Sequence, residues 1–262
     1  MKEFKCRCSA IGQIMSGTIG LTEAQTKTLA ELLSKPTPTA KQQETISELL
    51  AKKENKELPQ TAKTYVEIWV KEQLYSSKKE FSSKQTQKGN ECEDESIDFI
   101  ADMLGLGMLM KNNEYFENDF ITGTPDVLID YIIDVKNSWD CFTFPLFANA
   151  VPNQDYDWQL TGYMWLTGKT NAKLIYVLSD TPAHLIEKEA YYYCKSNGYD
   201  ELDMDVYLKF VENMTYKNVD SKLKIKVFDI KRDEAKIQAI RERVLLCRKY
   251  KDELLSKLNL TA

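Results

Sequence analysis

Apolar residues recur along this chain with two periods, one helical and one of two, and the change between them marks out the predicted elements. Leu29, Leu32 and Leu33, then Ile46, Leu49 and Leu50, make two stripes at helical spacing. Thr22 with Gln25 and Thr39 with Gln42 stand where capping boxes would open both helices, and Pro36-Thr37-Pro38 separates them. A third helix is predicted from about Thr61 to Lys79, carrying Val66, Trp69, Val70 and Leu74, and the polar stretch Ser76 to Lys88 reads as a loop. The next helix puts Glu93 on the inward stripe with Ile97, Ile100 and Leu104, whereas Glu91, Glu95, Asp98 and Asp102 fall on a solvated face.

From Tyr115 to Lys136 the pattern is that of strands, the last two joined at a tight turn near Asp130. Asn137 to Asp157 reads as an aromatic loop (Trp139, Phe142, Phe144, Phe147) able to gate a cleft or meet a neighbouring subunit. An amphipathic helix over Tyr156 to Leu166 follows, then an apolar strand, Ala172 to Ser179, and helices over Thr181 to Ser196 and residues 200–216. Lys222, Lys224 and Lys226 alternate with Leu223, Ile225 and Val227, which predicts a strand with one lysine face. A final helix carries Ile237, Ile240, Val244, Cys247, Leu254 and Leu258 on one side. The expected fold class is α/β, a mixed central sheet flanked by helices. Its parts are an N-terminal helical region (1–84), a core (85–180) and C-terminal helices with a strand (181–262) completing the same domain.

Charge sharpens this picture. The net charge is −5, yet residues 90–134 hold twelve acids and one base, Lys111, so the remainder is net +6. An acidic pocket in a mildly basic body suits a cation site whose phosphate contacts come from elsewhere. The six cysteines (6, 8, 92, 141, 194 and 247) are scattered, and Cys6-x-Cys8 has no second pair to complete a zinc site. With no apolar run long enough to span a membrane and no signal-like N-terminus, a reduced, cytoplasmic protein is expected. One histidine, His184, leaves no room for chemistry built on several, and it is placed near a helix start. Thr167-Gly168-Lys169-Thr170 imitates the end of a phosphate-binding loop, but it closes a helix and Gly162 is out of register, so no nucleotide binding is expected.

The most informative stretch is Pro125-Asp126 followed by Asp134-Val135-Lys136. Residues two apart on a strand share a face, so Asp134 and Lys136 project together, and Asp126 can converge on them from the preceding turn. Two carboxylates beside a lysine can hold a hard divalent cation with an ammonium near the water it activates. Further on, Gln159 and Tyr163 are four apart and lie on one face of their helix.

These residues resemble the PD-(D/E)XK nuclease superfamily. Gln159-Leu-Thr-Gly-Tyr163 and Lys88-Gly89-Asn-Glu-Cys-Glu93 are similar to the Gln-x-x-x-Tyr and Arg-Gly-x-x-x-Glu elements of its RecB-like branch. Tyr156-Asp-Trp-Gln-Leu-Thr-Gly-Tyr-Met-Trp-Leu166 looks like phage recombination exonucleases of the YqaJ and lambda type. The resemblance implies a restriction-endonuclease-like core and a Mg²⁺- or Mn²⁺-dependent exonuclease acting on linear double-stranded DNA from its 5′ end. Such enzymes work with a single-strand annealing recombinase and often form homo-oligomeric ring trimers. It further implies Glu93, Asp126, Asp134 and the Val135 carbonyl as metal ligands, Lys136 orienting or deprotonating the attacking water, and Gln159 with Tyr163 supporting it. Arg7 and Ser9 lie in a segment loosely similar to the lambda-type N-terminus, where they would suit a terminal phosphate. Lys222, Lys224 and Lys226 are further candidate DNA contacts. A RecB-like or CRISPR-associated nuclease and a catalytically idle DNA-end-binding module are the rival readings.

Overall fold

The computed structural model describes residues 1–54, 57–80 and 82–259, and these fall into two compact units, one within 1–79 and from 235 onward, the other within 80–234. The first begins with a short strand, β1 (Cys6–Arg7), and helices α1 (Ile11–Met15), α2 (Glu23–Leu33), α3 (Ala40–Glu54) and α4 (Gln60–Leu74). Both expected capping boxes are present. Thr22 accepts from the Gln25 amide at 3.2 Å while Gln25 accepts from the Thr22 amide at 3.1 Å, and Thr39 exchanges the same bonds with Gln42 at 3.4 and 3.0 Å.

The second unit opens with α5 (Lys84–Leu104), capped by the Ser83 hydroxyl and ended by Gly105 in the left-handed region at φ 63°. The helix therefore starts inside the stretch expected to be a loop, of which residue 81 lies outside the described residues. Its polar opening, Lys-Gln-Thr-Gln-Lys, hides a helix that Ser83 caps. Likewise α4 stops at Leu74, five residues short of the expected end. Two short strands follow, β2 (Phe116–Glu117) and β3 (Ile121–Gly123), paired antiparallel.

The sheet that carries the conspicuous motif has the order β4 (Val127–Leu128), β5 (Ile132–Asn137), β6 (Asn171–Val177), β7 (Ile225–Lys231). β4 and β5 form the expected hairpin, with Val127 opposite Ile133. β5 and β6 run parallel, joined by α6 (Gln154–Thr167), and β7 returns antiparallel. Period two divides β5 cleanly. Ile133 and Val135 face α5 and pack with Ile97, Ile100, Ala101, Val127, Ile175 and Val177. Asp134 and Lys136 face the other way, where α6 lies. Leu104 is 36% exposed and so lies off the buried stripe of α5, contrary to its expected place with Glu93.

Helices α7 (Ala183–Ser196) and α8 (Met204–Met214) form a hairpin around Ala190, Cys194 and Val206. The expected lysine strand is not formed as read. Residues Ser221–Leu223 are a 3₁₀ turn held by Asp220, and β7 begins only at Ile225. Asp220 accepts from the Lys222 amide, and that local bond outcompetes a strand ladder.

The last helix, α9 (Glu234–Lys257), returns the chain to the first unit. Its buried line is Ile237, Ile240, Arg243, Val244, Cys247, Lys251 and Leu255. Leu258 is 55% exposed, and Leu255 takes the place expected for Leu254. Arg243 belongs to this line because it donates to the carbonyls of Ile14 and Gly17 at 2.6 and 3.4 Å, which satisfies the end of α1. Among the described residues, no helix is long and apolar enough to cross a membrane.

Candidate active site

β5 sets the site. Asp134 is fully buried, and its Oδ2 lies 2.6 Å from Lys136 Nζ on the same strand face. The other oxygen, Oδ1, accepts from Gln159 Nε2 at 3.1 Å, and the same amide reaches the Tyr163 hydroxyl at 3.1 Å. Gln159 and Tyr163 sit one turn apart on α6, both buried, so helix spacing alone delivers the pair to Asp134. Asp126 comes from the turn before β4, and its Oδ2 accepts from the Val135 amide at 2.8 Å. That bond ties the carboxylate to the backbone between Asp134 and Lys136.

The electrostatics follow from burial. Removal from water, then repulsion from Asp134, raises Asp126 to about 7, against the pull of Lys136 and the Val135 amide; Glu93 adds to the rise. Burial by itself would lower the Lys136 ammonium, but Asp134 and Asp126 outweigh it and lift it well above the usual lysine range. The ammonium also lies 4.8 Å from the centre of the Tyr156 ring. Lys136 is thus firmly charged in the presence of both carboxylates.

Glu93 is half-buried on α5, near enough to Asp126 to act on it, but its Oε2 is held 2.9 Å from Lys111 Nζ. Among the described residues, no three carboxylate, imidazole or thiol groups are gathered closely enough to enclose an ion. The donor set nonetheless suits a hard divalent cation. Asp134 Oδ2 is buried and makes no well-aligned hydrogen bond, its 2.6 Å approach to Lys136 being an ion pair only. A buried and a half-buried carboxylate, Asp134 and Asp126, face a single ammonium there, so a further positive charge would be stabilised.

Of the remaining candidates, Lys226 stands in the same row of the sheet as Lys136, with Tyr176 between them. Arg7 and Ser9 belong to the other unit, where Arg7 Nη2 lies 3.4 Å from Glu72 Oε2 and Ser9 is exposed on a 3₁₀ turn. Lys222 is exposed, Lys224 lies 5.5 Å from the Phe99 ring centre, and Lys226 donates to the Leu146 carbonyl at 3.3 Å. They share no single face. His184 stands at the start of α7, 3.3 Å from Glu91, and Thr167 to Thr170 closes α6 with Gly168 at φ 73°. Lys88, from the Lys-Gly pair, is fully buried and donates to the carbonyls of Trp139 and Ser179 at 3.0 and 2.8 Å.

Two residues of the site escaped the sequence reading. Tyr156 precedes Gln159 by three positions, so it stands on the same helix face and could have been found from that spacing. Lys111 stood out only as the one base in an acidic run.

No family model matches the chain, and no curated protein does either. Solved structures do. A phage-related exonuclease from Haemophilus somnus 129PT is 29% identical, covering 98% of this chain and 97% of its own, with a TM-score of 0.67. An alkaline exonuclease, LHK-Exo, from Laribacter hongkongensis is 12% identical at a TM-score of 0.57, covering 97% of this chain and 91% of its own. LHK-Exo in complex with dAMP matches similarly, at 13% identity and 0.57. The expected α/β class is observed, and it is shared with these exonuclease structures.

Proposed function

Taking this chain as a YqaJ- and lambda-exonuclease-like PD-(D/E)XK nuclease, we propose that it is a Mg²⁺- or Mn²⁺-dependent DNA exonuclease. It degrades linear double-stranded DNA from the 5′ end and leaves a single strand for an annealing recombinase. The observation that carries this reading is the cluster of Asp126 from the turn before β4, Asp134 and Lys136 on β5, and Gln159 on α6. The likeness at 29% identity over nearly the whole of both chains supports exonuclease activity, and dAMP bound to LHK-Exo supports DNA as the substrate class. A cytoplasmic homo-oligomer, a ring trimer, belongs to the same proposal.

Asp126, Asp134, the Val135 carbonyl and Glu93 would hold the ion. When bound, a divalent ion would acidify a water and offset charge building on the phosphoryl oxygens. Lys136 presents a fixed ammonium beside Asp134, which suits orienting the attacking water and the scissile phosphate better than taking a proton. Gln159 fixes the Asp134 carboxylate through Oδ1 and leaves Oδ2 facing Lys136. Tyr163 holds the Gln159 amide in that orientation.

The test uses linear duplexes labelled at the 5′ or the 3′ end and a closed circle, with Mg²⁺, with EDTA, and without ATP. Early release of the 5′ label, late loss of the 3′ label and an intact circle are expected with Mg²⁺, and no cleavage in EDTA. Cleavage in EDTA removes the metal from the reading. A cut circle replaces exonuclease by endonuclease action, and early loss of the 3′ label reverses the polarity.

A further inference from the structure

Lys111 lies on the segment between α5 and β2, and its backbone is pinned against the Pro125-Asp126 turn. The Asn112 amide donates to the Asp126 carbonyl at 2.7 Å, and Asn112 Nδ2 donates to the carbonyls of Pro125 and Glu114 at 3.0 and 3.2 Å. On the other side Leu109 is buried in the core beneath β5. The tether therefore does not depend on the lysine side chain, which remains 41% exposed on its flexible stem. Its ammonium reaches Glu93 Oε2 at 2.9 Å and Asp94 Oδ1 at 3.8 Å. The ammonium is thereby joined to a carboxylate proposed above as a metal ligand.

We propose that Lys111 is a built-in competitor for the divalent ion, holding Glu93 while the metal is absent and releasing it when the metal binds. This deepens the metal-dependent reading above and rests on it. A partly exposed ion pair is weak, so a dication held by Asp134, Asp126 and Glu93 together displaces it readily. The tethered ammonium then sets the affinity of the site by occupying one ligand and by repelling the incoming charge. Glu93 meanwhile is turned to Lys111.

The experiment is calorimetric titration of the metal-free protein with Mg²⁺ and with Mn²⁺, which needs no activity. Lys111→Met is expected to bind at least about threefold more tightly than wild type, whereas Lys111→Arg, which keeps the charge, stays within about twofold. In a Glu93→Gln background, Lys111→Met should change affinity less, because the contested ligand is gone. Lys111→Gln replaces the Met variant if the latter fails to fold. Equal or weaker binding by the neutral variants overturns the proposal while the metal reading stands. No binding by wild type at millimolar metal removes the metal reading, and this inference with it.

Discussion

Lys88 and Lys136 both enter the interior of residues 80–234, one from the first turns of α5 and the other from the end of β5, and their surroundings treat them oppositely. Lys88 meets neutral carbonyls of Trp139 and Ser179, and burial, only partly offset by Cys92, Asp140 and Asp180, lowers it to about 8. Lys136 meets the carboxylate of Asp134 at 2.6 Å and is raised. Carbonyl dipoles satisfy the hydrogen bonds of a buried ammonium without fully offsetting the loss of hydration; a formal negative charge close by offsets it. Lys88 is accordingly read as a brace that ties α5 to the loops leaving β5 and β6. Lys136 is read as a permanent charge, the one the proposed reaction would use.

The largest effect should come from removing what keeps Lys136 charged. Asp134→Asn should lower DNA cleavage by roughly a thousandfold or more, since a proposed ligand and the anchor of Gln159 are lost together. A rate within tenfold of wild type in the end-label assay would make the carboxylate dispensable. Next comes Lys136→Met, expected to cost about a hundredfold in turnover while DNA affinity in Ca²⁺ is kept. Turnover within threefold of wild type would place both lysines in the same structural class.

Lys88 sharpens the comparison through pH. Its folded value of about 8 lies below the ordinary 10.5, so between these the unfolded chain binds more protons and stability rises with pH. Urea unfolding should show wild type gaining roughly 2 kcal/mol from pH 8 to 10.5 relative to Lys88→Met. Parallel pH profiles would mean that Lys88 is not held charged at a cost. The smallest effect is expected at Arg7, whose guanidinium is 55% exposed and already faces Glu72. Arg7→Ala should reduce a preference for 5′-phosphorylated over 5′-hydroxyl duplex by a few-fold at most. Equal digestion of the two duplexes by wild type would take the terminal phosphate out of the proposal.

The hairpin of β4 and β5 was legible because period two and a short turn admit one arrangement, and a slip of one residue would have buried Lys136 in the α5 core. Gln159 and Tyr163 were legible for the same reason at helical spacing. The lysine segment was misread because alternation cannot register a side chain such as Asp220 capping the turn beneath it. The buried line of α9 was blurred because Arg243 and Lys251 occupy interior positions, and no hydrophobicity pattern counts a charged residue as core.

What the sequence by itself determined is local: which face of β5 carries Asp134 and Lys136, which face of α6 carries Gln159, and where Thr22, Thr39 and Gly168 begin or end helices. These depend on periods and caps, which operate over a few residues. Only the tertiary structure decided that Lys88 sits among carbonyls, that Asp126 is tied to the Val135 amide, and that Lys111 holds Glu93. Each of these joins residues from segments far apart in sequence or across a turn. Their energies depend on distance and burial, and a linear pattern contains neither.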